Sequence, residues 1–336
     1  MYRWRMIRAR PLAFLACLFS SFLTPALAQD EAFRGKTVTY IVATGPGGGY
    51  DSHGRLVARL MQKYLPGATI AVKNVPGGGH LIGANMLYAA RPDGLTIGTF
   101  NIGLIYDQLV GRPEVKFDLA RFSWIGNAVS DPRVVVLAAQ SPVMDWKGLA
   151  AQPQPVTFGT ANIGSASYVE TSLLTSALNL PIRLRPGLTG NEDQQAMRRG
   201  DIAGAVAARA VYEPFVRDGF ARIVAQIGGG EKDAPQLATL VSEARGRHIV
   251  ALIQAQADLA RITAAPPGVA APLLDALRTA YRRALDDADF RIEATKLGRA
   301  VEPLIGDDVL KSLRPALDQT PETLALIKDA LDGRKR

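Results

Sequence analysis

The chain has 336 residues, of which 48% are hydrophobic, 21% charged and 7% aromatic. This composition is typical of a globular protein of about two domains, and it excludes a disordered chain, a collagen-like fibre and a polytopic membrane protein. The formal net charge of +8 falls to +4 without the four arginines of the first 28 residues, which include no acid. A charge this mild does not indicate a nucleic-acid partner.

The segment 1–28 has the pattern of a cleaved secretory signal peptide. Four arginines precede an apolar run over residues 12–23, and the segment ends in Ala26-Leu27-Ala28, a small-x-small cleavage site. The run is short for a membrane anchor, which is the alternative. We therefore expect export to the periplasm. Cys17, the single cysteine of the chain, leaves with the segment, so the mature chain has no disulfide and no cysteine nucleophile.

A strand, a glycine loop and a helix open the mature chain. Residues 37–43 form an apolar run rich in β-branched residues, which predicts a buried strand. The loop Gly45-Pro46-Gly47-Gly48-Gly49 follows. Asp51 and Ser52 then offer an N-cap to a helix whose apolar residues recur at helical spacing as far as Leu65.

The same unit recurs at once along the chain. A short strand over residues 68–72 leads into a second glycine loop, Asn74-Val75-Pro76-Gly77-Gly78-Gly79, and a helix over 81–90. A third strand, 95–100, ends at Asn101. Strands that alternate with helices predict a parallel sheet with helices on both faces.

A second block repeats the unit once more. A strand over 156–158 precedes a loop of small residues from Thr160 to Ser165, and a helix follows from about Ser167. The end of the chain, from the Ala264–Gly268 segment onward, is predicted to be helical. Since no long linker separates the blocks, we expect the chain to cross between two domains near residues 130 and 250.

The other strands predicted in the second block cover 133–139, 180–184, 202–206 and 222–227.

The two glycine loops of the first block predict an anion site. A helix N-terminus carries unpaired N–H groups and a partial positive charge, and glycine lets a ligand approach the backbone closely. The carboxyl ends of neighbouring parallel strands also share one sheet edge, where α/β folds bind ligands. Nucleotide motifs are excluded, because Ser52 and Ile82 stand where a dinucleotide fingerprint needs its third glycine and neither loop ends in Gly-Lys-Ser/Thr.

Catalysis and metal binding find no support in the residue patterns. Ser165 and Ser167 lack the Gly-x-Ser-x-Gly elbow. His53, His80 and His248 stand in no metal-ligand spacing. We therefore expect a binding protein without cofactor, not an enzyme, although an exported α/β enzyme is kept as an alternative.

Several motifs, in this order and spacing, resemble the substrate-binding proteins of tripartite tricarboxylate transporters, the Bug receptors. No single motif is diagnostic, but together they span the mature chain from about residue 35 to 330. They are Gly47-Gly-Gly-Tyr-Asp51, Asn74-Val-Pro-Gly-Gly-Gly79, Arg91-Pro-Asp-Gly-Leu-Thr-Ile-Gly-Thr99, Phe122-Ser-Trp-Ile-Gly126, Ser141-Pro142, Ala265-Pro-Pro-Gly268 and Leu297-Gly298.

The resemblance implies a type II periplasmic-binding-protein fold, with two α/β lobes, a ligand cleft and two crossing strands. Residues 29–130 and 251–336 would form the first lobe, and residues 131–250 the second. The implied function is capture of a small organic acid, of the di- or tricarboxylate type, for membrane transporter subunits by a monomer. A ligand-presenting partner of a sensor kinase and a scaffold that has lost its ligand are alternatives.

The resemblance also implies which residues bind the ligand. Backbone N–H groups of the two glycine loops would hold one carboxylate, and the Thr160–Ser167 loop would reach it from the second lobe. Arg209 is a candidate partner for a second carboxylate, because arginine binds carboxylates bidentately. The full set of predicted ligand-binding residues is Gly47, Gly48, Gly49, Tyr50, Asp51, Pro76, Gly77, Gly78, Gly79, His80, Asn101, Thr160, Ser165, Ser167 and Arg209.

Two departures from the family pattern affect the far end of the pocket. The second lobe has Arg185-Pro-Gly-Leu-Thr-Gly-Asn191 where many members have Pro-Tyr-x-Gly, and Ala205–Ala208 replace a stretch that often carries an acid. The second glycine loop reads Gly77-Gly78-Gly79-His80 where Gly-Ala-Gly-Gly is usual. The identity of the acid therefore does not follow from the sequence.

Overall fold

The structure is a computed structural model, and its description covers residues 32–47, 49–163, 165–188, 191–230, 233–296 and 301–332. The predicted signal peptide, Gly48 and the Leu297-Gly298 motif lie outside these ranges.

The described strands include those that were predicted from β-branched apolar runs, and several more. In chain order they are β1 (Thr37–Val42), β2 (Thr69–Asn74), β3 (Thr96–Thr99), β4 (Ser123–Val129), β5 (Arg133–Ala138), β6 (Val156–Gly159), β7 (Ile182–Arg185), β8 (Gly204–Ala208), β9 (Ala221–Ile227), β10 (Ile262–Ala265) and β11 (Val301–Ile305).

Helices connect most of these strands and form the end of the described chain. In chain order they are α1 (Gly49–Lys63), α2 (Leu81–Tyr88), α3 (Leu104–Leu109), α4 (Trp146–Ala150), α5 (Ala166–Ala177), α6 (Glu192–Arg199), α7 (Arg209–Arg217), α8 (Leu237–Leu240), α9 (Ala244–Asp258), α10 (Ala271–Asp286), α11 (Ala288–Lys296), α12 (Asp307–Leu317) and α13 (Pro321–Leu331). No helix in the described ranges combines the length and the apolar composition that a bilayer crossing needs.

The parallel pairing predicted for the first three strands is confirmed, but both complete sheets are mixed because other strands join them antiparallel. The first sheet has the order β11-β4-β10-β3-β1-β2, in which β1 runs parallel to β2 and β3 while β10 and β11 pair antiparallel with their neighbours. The second has the order β7-β6-β8-β5-β9, in which β5 is antiparallel to both β8 and β9. Strand direction depends on pairing across the chain, which local hydrophobic patterns do not encode.

The expectation of an entirely helical C-terminal part was also wrong. Residues 262–265 form β10, which pairs with β3 and β4, and residues 301–305 form β11 on the outer side of β4. The helix predicted to begin at the Ala264–Gly268 segment begins instead at Ala271. Pro266 and Pro267 separate the strand from this helix, because proline supplies no backbone N–H to a sheet ladder.

The two sheets define two lobes, and helices at their junction tie the lobes together. The chain passes from β4 to β5 through residues 130–132 and comes back through α9. Helix α9 packs against α12 and α5, and α13 packs against α5. One buried apolar cluster extends from Phe100 and Trp124 in the first lobe to Phe158 in the second. The fold class predicted from the sequence is thus confirmed, while the lobe boundaries near residues 130 and 250 stay a prediction.

Candidate functional site

The first glycine loop is closed by an aspartate at the start of α1. Because this helix begins at Gly49, Asp51 lies in its first turn, and the prediction of an N-cap at Asp51 or Ser52 was wrong. The Asp51 carboxylate still closes the loop, since its Oδ2 accepts a hydrogen bond from the backbone N–H of Gly47 at 2.9 Å. Gly47 has a φ of +89°, a conformation that favours glycine.

Asp51 also joins the first glycine loop to the second. Its Oδ1 accepts a hydrogen bond from the Asn74 side-chain amide at 2.8 Å, and Asn74 is the last residue of β2, which leads into the second loop. Arg55 donates from Nε to Asp51 and from Nη2 to Asn74. The hydrogen bond from Arg55, with those from Gly47 and Asn74, lowers the pKa of Asp51 to about 2. The carboxylate is therefore ionised and occupied by partners within the protein, and it braces the two loops against each other.

The second glycine loop holds four successive residues at positive φ. Gly77, Gly78 and Gly79 have φ values of +127°, +56° and +61°, and His80 follows at +85°. Side chains rarely adopt this conformation, so glycine keeps the loop open to a ligand. The three glycines and Pro76 are exposed, which leaves this backbone accessible at the N-terminal side of α2.

An aromatic and cationic cluster connects the two loops. The rings of Tyr50 and His80 meet edge to face with centroids 4.7 Å apart. The guanidinium carbon of Arg261 lies 4.1 Å from the centroid of the Tyr50 ring. Burial, and secondarily the charge of Arg261, lower the pKa of His80 to about 4, so this imidazole is neutral at pH 7.

A cavity of about 240 Å³ lies between the two lobes, and the second glycine loop forms part of its wall. Gly78, Gly79 and Asn101 line it from the first lobe, at the carboxyl ends of β2 and β3. Ala166 and Val169 of α5 line it from the second lobe. Three of the predicted binding residues are thus brought together in a space that both lobes enclose. Its other lining residues are Gly103, Leu104, Tyr106, Asp107, Arg112, Gln256 and Leu331.

Two buried polar groups in this cavity have no partner within the described protein. Tyr106 is 3% exposed and Gln256 is 5% exposed. The Tyr106 hydroxyl neither donates nor accepts a hydrogen bond there, and the Gln256 Oε1 accepts none. Buried polar atoms are nearly always hydrogen-bonded, so these two groups are candidates for contact with a bound ligand. The Asn101 carboxamide is partly engaged, because its Oδ1 accepts from the N–H of Gly103 at 2.7 Å.

The small-residue loop of the second lobe leads into the N-terminus of α5. Ser165 caps this helix by accepting from the N–H of Tyr168, and the Ser167 hydroxyl accepts from the N–H of Ala161. The Thr160 hydroxyl donates to the carbonyl of Ala161. These three side chains hold the loop in shape, while Ala166 between the two serines is the residue that lines the cavity.

Arg209 lies at the start of α7 and is bound to other side chains of the second lobe. It is 7% exposed and donates to Glu213 at 2.9 Å, to Asp233 at 2.5 Å and to Gln226 at 3.2 Å. The structure does not place it among the residues that line the cavity. Its assignment to a second ligand carboxylate stays a prediction.

A buried ion pair adjoins the cavity behind Tyr106. Arg133, the first residue of β5, donates from Nε to the Glu170 carboxylate of α5 at 3.0 Å, and Asp131 lies 3.6 Å from its Nη1. Burial raises the pKa of Glu170, while the Arg133 guanidinium acts in the opposite direction. The negative charge of Glu170 also adds to the effect of burial in raising the pKa of Tyr106, so the phenol stays protonated and can donate.

A larger hollow, of about 340 Å³, lies on the outer side of α1. Helices α1 and α11 and the end of β4 line it, with His53, Arg59 and Phe290 among its residues. Among the described residues, none from the second lobe and none from either glycine loop lines it. The smaller cavity is therefore the better candidate for the functional site.

Sequence reasoning missed Tyr106, Gln256 and Arg261. Tyr106 and Gln256 lie in helices α3 and α9, where the helical pattern accounts for them without a functional role. Arg261 is the one basic residue in the stretch from Ile249 to Leu277, directly before the buried strand β10. That isolated charge next to a buried strand is the signal that could have identified it.

Comparison with known proteins now places the chain in a family. The model of the tripartite tricarboxylate transporter family receptor matches residues 54–329. The chain therefore belongs to this receptor family, and the resemblance drawn from the sequence is confirmed.

Two curated relatives support the assignment over part of their length. The UPF0065 protein in the TAR-I ttuE-ttuC' intergenic region of Agrobacterium vitis is 31% identical over 183 residues, covering 52% of this chain and 51% of the relative. The UPF0065 protein in the tcbD-tcbE intergenic region of Pseudomonas sp. (strain P51) is 29% identical over 180 residues, covering 52% and 53%. The chain thus spans about half the length of these relatives in the match.

Solved structures share the fold over most of both chains. A TctC solute-binding protein from Polaromonas has a TM-score of 0.72 at 17% identity, covering 89% of this chain and 98% of its own. MatC from Rhodopseudomonas palustris, solved with malate, has a TM-score of 0.57 at 22% identity, with 88% and 99% covered. A second R. palustris protein, solved with adipate, has a TM-score of 0.61 at 17% identity, with 87% and 97% covered.

Proposed function

We propose that the protein is an exported receptor that captures a small organic acid in the cavity between its lobes and delivers it to membrane transporter subunits. The observation that carries this proposal is the composition of the cavity. Exposed backbone of the second glycine loop meets the N-terminus of α5 across it. Tyr106 and Gln256 also line it, and each carries a buried polar atom with no hydrogen-bond partner among the described residues. Helix N-termini and glycine-loop N–H groups favour a negatively charged ligand.

The size of the cavity and the family fit the same class of ligand. About 240 Å³ accommodates a small molecule rather than a nucleotide or a peptide. Two relatives of the same fold were solved with malate and with adipate, both dicarboxylates. The predicted signal peptide supports a periplasmic location, where such a receptor would act as a monomer.

A thermal-shift screen of refolded residues 29–336 tests this function. The ligands are malate, adipate, citrate and benzoate, with malamide and adipamide as uncharged analogues and sugars and nucleotides as unrelated controls. At a hundred times its dissociation constant a ligand stabilises the native state by about 2.7 kcal/mol, so we expect the melting temperature to rise by several degrees for at least one acid and not for its amide. The proposal would be contradicted if no acid raised the melting temperature, or if sugars or nucleotides raised it.

A further inference from the structure

Arg261 lies at the sheet edge that carries both glycine loops, although it is about 180 residues away in the chain. It directly precedes β10, which runs antiparallel between β3 and β4. The start of an antiparallel strand lies level with the carboxyl ends of its neighbours. Arg261 therefore emerges beside the end of β3, at the edge where Asn101 and the two loops lie.

The Arg261 side chain turns toward the loops. Its guanidinium stacks on the ring of Tyr50, which stands two strands away at the start of α1, and Tyr50 in turn contacts His80 of the second loop. These two ring contacts place the cation beside residues of both loops. Gly78 and Gly79, the residues just before His80, line the cavity.

No acidic partner neutralises this cation in the described part of the chain. Arg261 is 8% exposed, its Nη1 donates to the Ala260 carbonyl at 2.7 Å, and its Nε has no partner. The Asp51 carboxylate, which lies next to Tyr50 in the chain, is bound to Arg55 instead.

Two other arginines of the second lobe with little exposed side chain have the counter-ions that Arg261 lacks. Arg133 has the carboxylates of Glu170 and Asp131, and Arg209 has those of Glu213 and Asp233. A buried charge without a counter-ion is unfavourable, so buried charges are nearly always paired. A ligand carboxylate would supply the missing counter-ion at this position.

We propose that Arg261 determines the charge specificity of the binding site, by binding a carboxylate of the ligand between the two glycine loops. This assignment rests on the proposed function. The Arg261 guanidinium lies beside the glycine loops, over the Tyr50 ring, rather than among the residues that line the cavity. Arg112 does line the cavity, but Asp107 neutralises it at 3.0 Å, so Arg261 is the cation beside the loops that lacks a counter-ion among the described residues. Arg261 would therefore discriminate the ionised acid from its uncharged amide.

The assignment is tested by calorimetric titration of the Arg261→Gln variant with two ligands. One is the acid of the panel that binds the wild type most tightly, and the other is the amide of that acid. We expect affinity for the acid to fall at least 100-fold, affinity for the amide to change less than threefold, and Arg261→Lys to recover part of the loss. The melting temperature without ligand should stay the same or rise, because an uncompensated charge is removed. Arg283→Gln is the matched control, since Arg283 also stacks on a tyrosine, Tyr64 at 4.3 Å, away from the cavity.

Two results would overturn the assignment. One is acid affinity in Arg261→Gln within threefold of the wild type. The other is equal loss of acid and amide binding together with a lower melting temperature without ligand, which would make Arg261 a structural residue. A wild-type protein that binds no acid would instead refute the proposed function, and the assignment with it.

Discussion

Replacing Gly79 with valine is expected to weaken acid binding at least 100-fold. A Cβ at this position meets no atom within 4 Å, and Gly79 lines the cavity, so the valine side chain would occupy space that the ligand needs. The φ of +61° also strains any β-branched residue there, and the strain would displace the loop N–H groups. Calorimetric titration with the best acid of the panel measures the loss.

Two further variants separate occupation of the cavity from backbone strain. Gly35→Val is the matched control, because Gly35 has a φ of +71° and open space around its Cβ but lies before β1, outside the cavity. It should bind the acid as the wild type does. Gly79→Asn tolerates positive φ better than valine and should still weaken binding by filling the cavity. Wild-type affinity in Gly79→Val would show that this loop does not contact the ligand.

Removing Glu170 is expected to have the largest effect on stability. The Glu170→Ala variant leaves the Arg133 guanidinium buried with Asp131 as its remaining carboxylate, at 3.6 Å. Breaking a buried ion pair in this way costs about 3–5 kcal/mol. In a protein of this size that corresponds to a fall in melting temperature of roughly 10 °C, measured by calorimetry without ligand.

An exposed acid provides the control for this variant. Glu213 forms an ion pair with Arg209, but its side chain is 55% exposed, so Glu213→Ala should change stability by less than about 1 kcal/mol. The double variant Arg133→Met/Glu170→Leu should recover much of the loss, because two apolar side chains replace the pair. A melting temperature of Glu170→Ala within 2 °C of the wild type would show that the pair does not stabilise the junction of the lobes.

Local sequence patterns predicted those strands whose residues are apolar and β-branched. The runs over β1 and β5 are apolar and β-branched, and both were recognised. Strand β10 reads Ile-Thr-Ala-Ala before two prolines, and it is a strand because β3 and β4 flank it. Such pairing joins residues more than 130 positions apart, for example Ile262 and Asn127, and no local pattern reports it.

The residues of the candidate site likewise fall into those that a local pattern predicts and those that only the fold brings together. The second glycine loop was recognisable because its chemistry is contained in one short segment. Three other residues are candidates only because the fold places them at the cavity or beside the loops, with polar atoms that have no hydrogen-bond partner among the described residues. They are Tyr106, Gln256 and Arg261. Asp51 shows the converse, since a residue beside a loop can serve the loop itself: its carboxylate is fully engaged with Gly47, Arg55 and Asn74.

Hydrogen–deuterium exchange with and without the best acid of the panel tests most directly whether the ligand is held between the two lobes. We expect exchange to slow at least tenfold at the amides of residues 77–80 in the first lobe and 166–169 in the second, because both segments flank the cavity. Protection at both places together requires a ligand that contacts both lobes. Protection confined to one lobe, or centred on the hollow beside α1, would contradict the account.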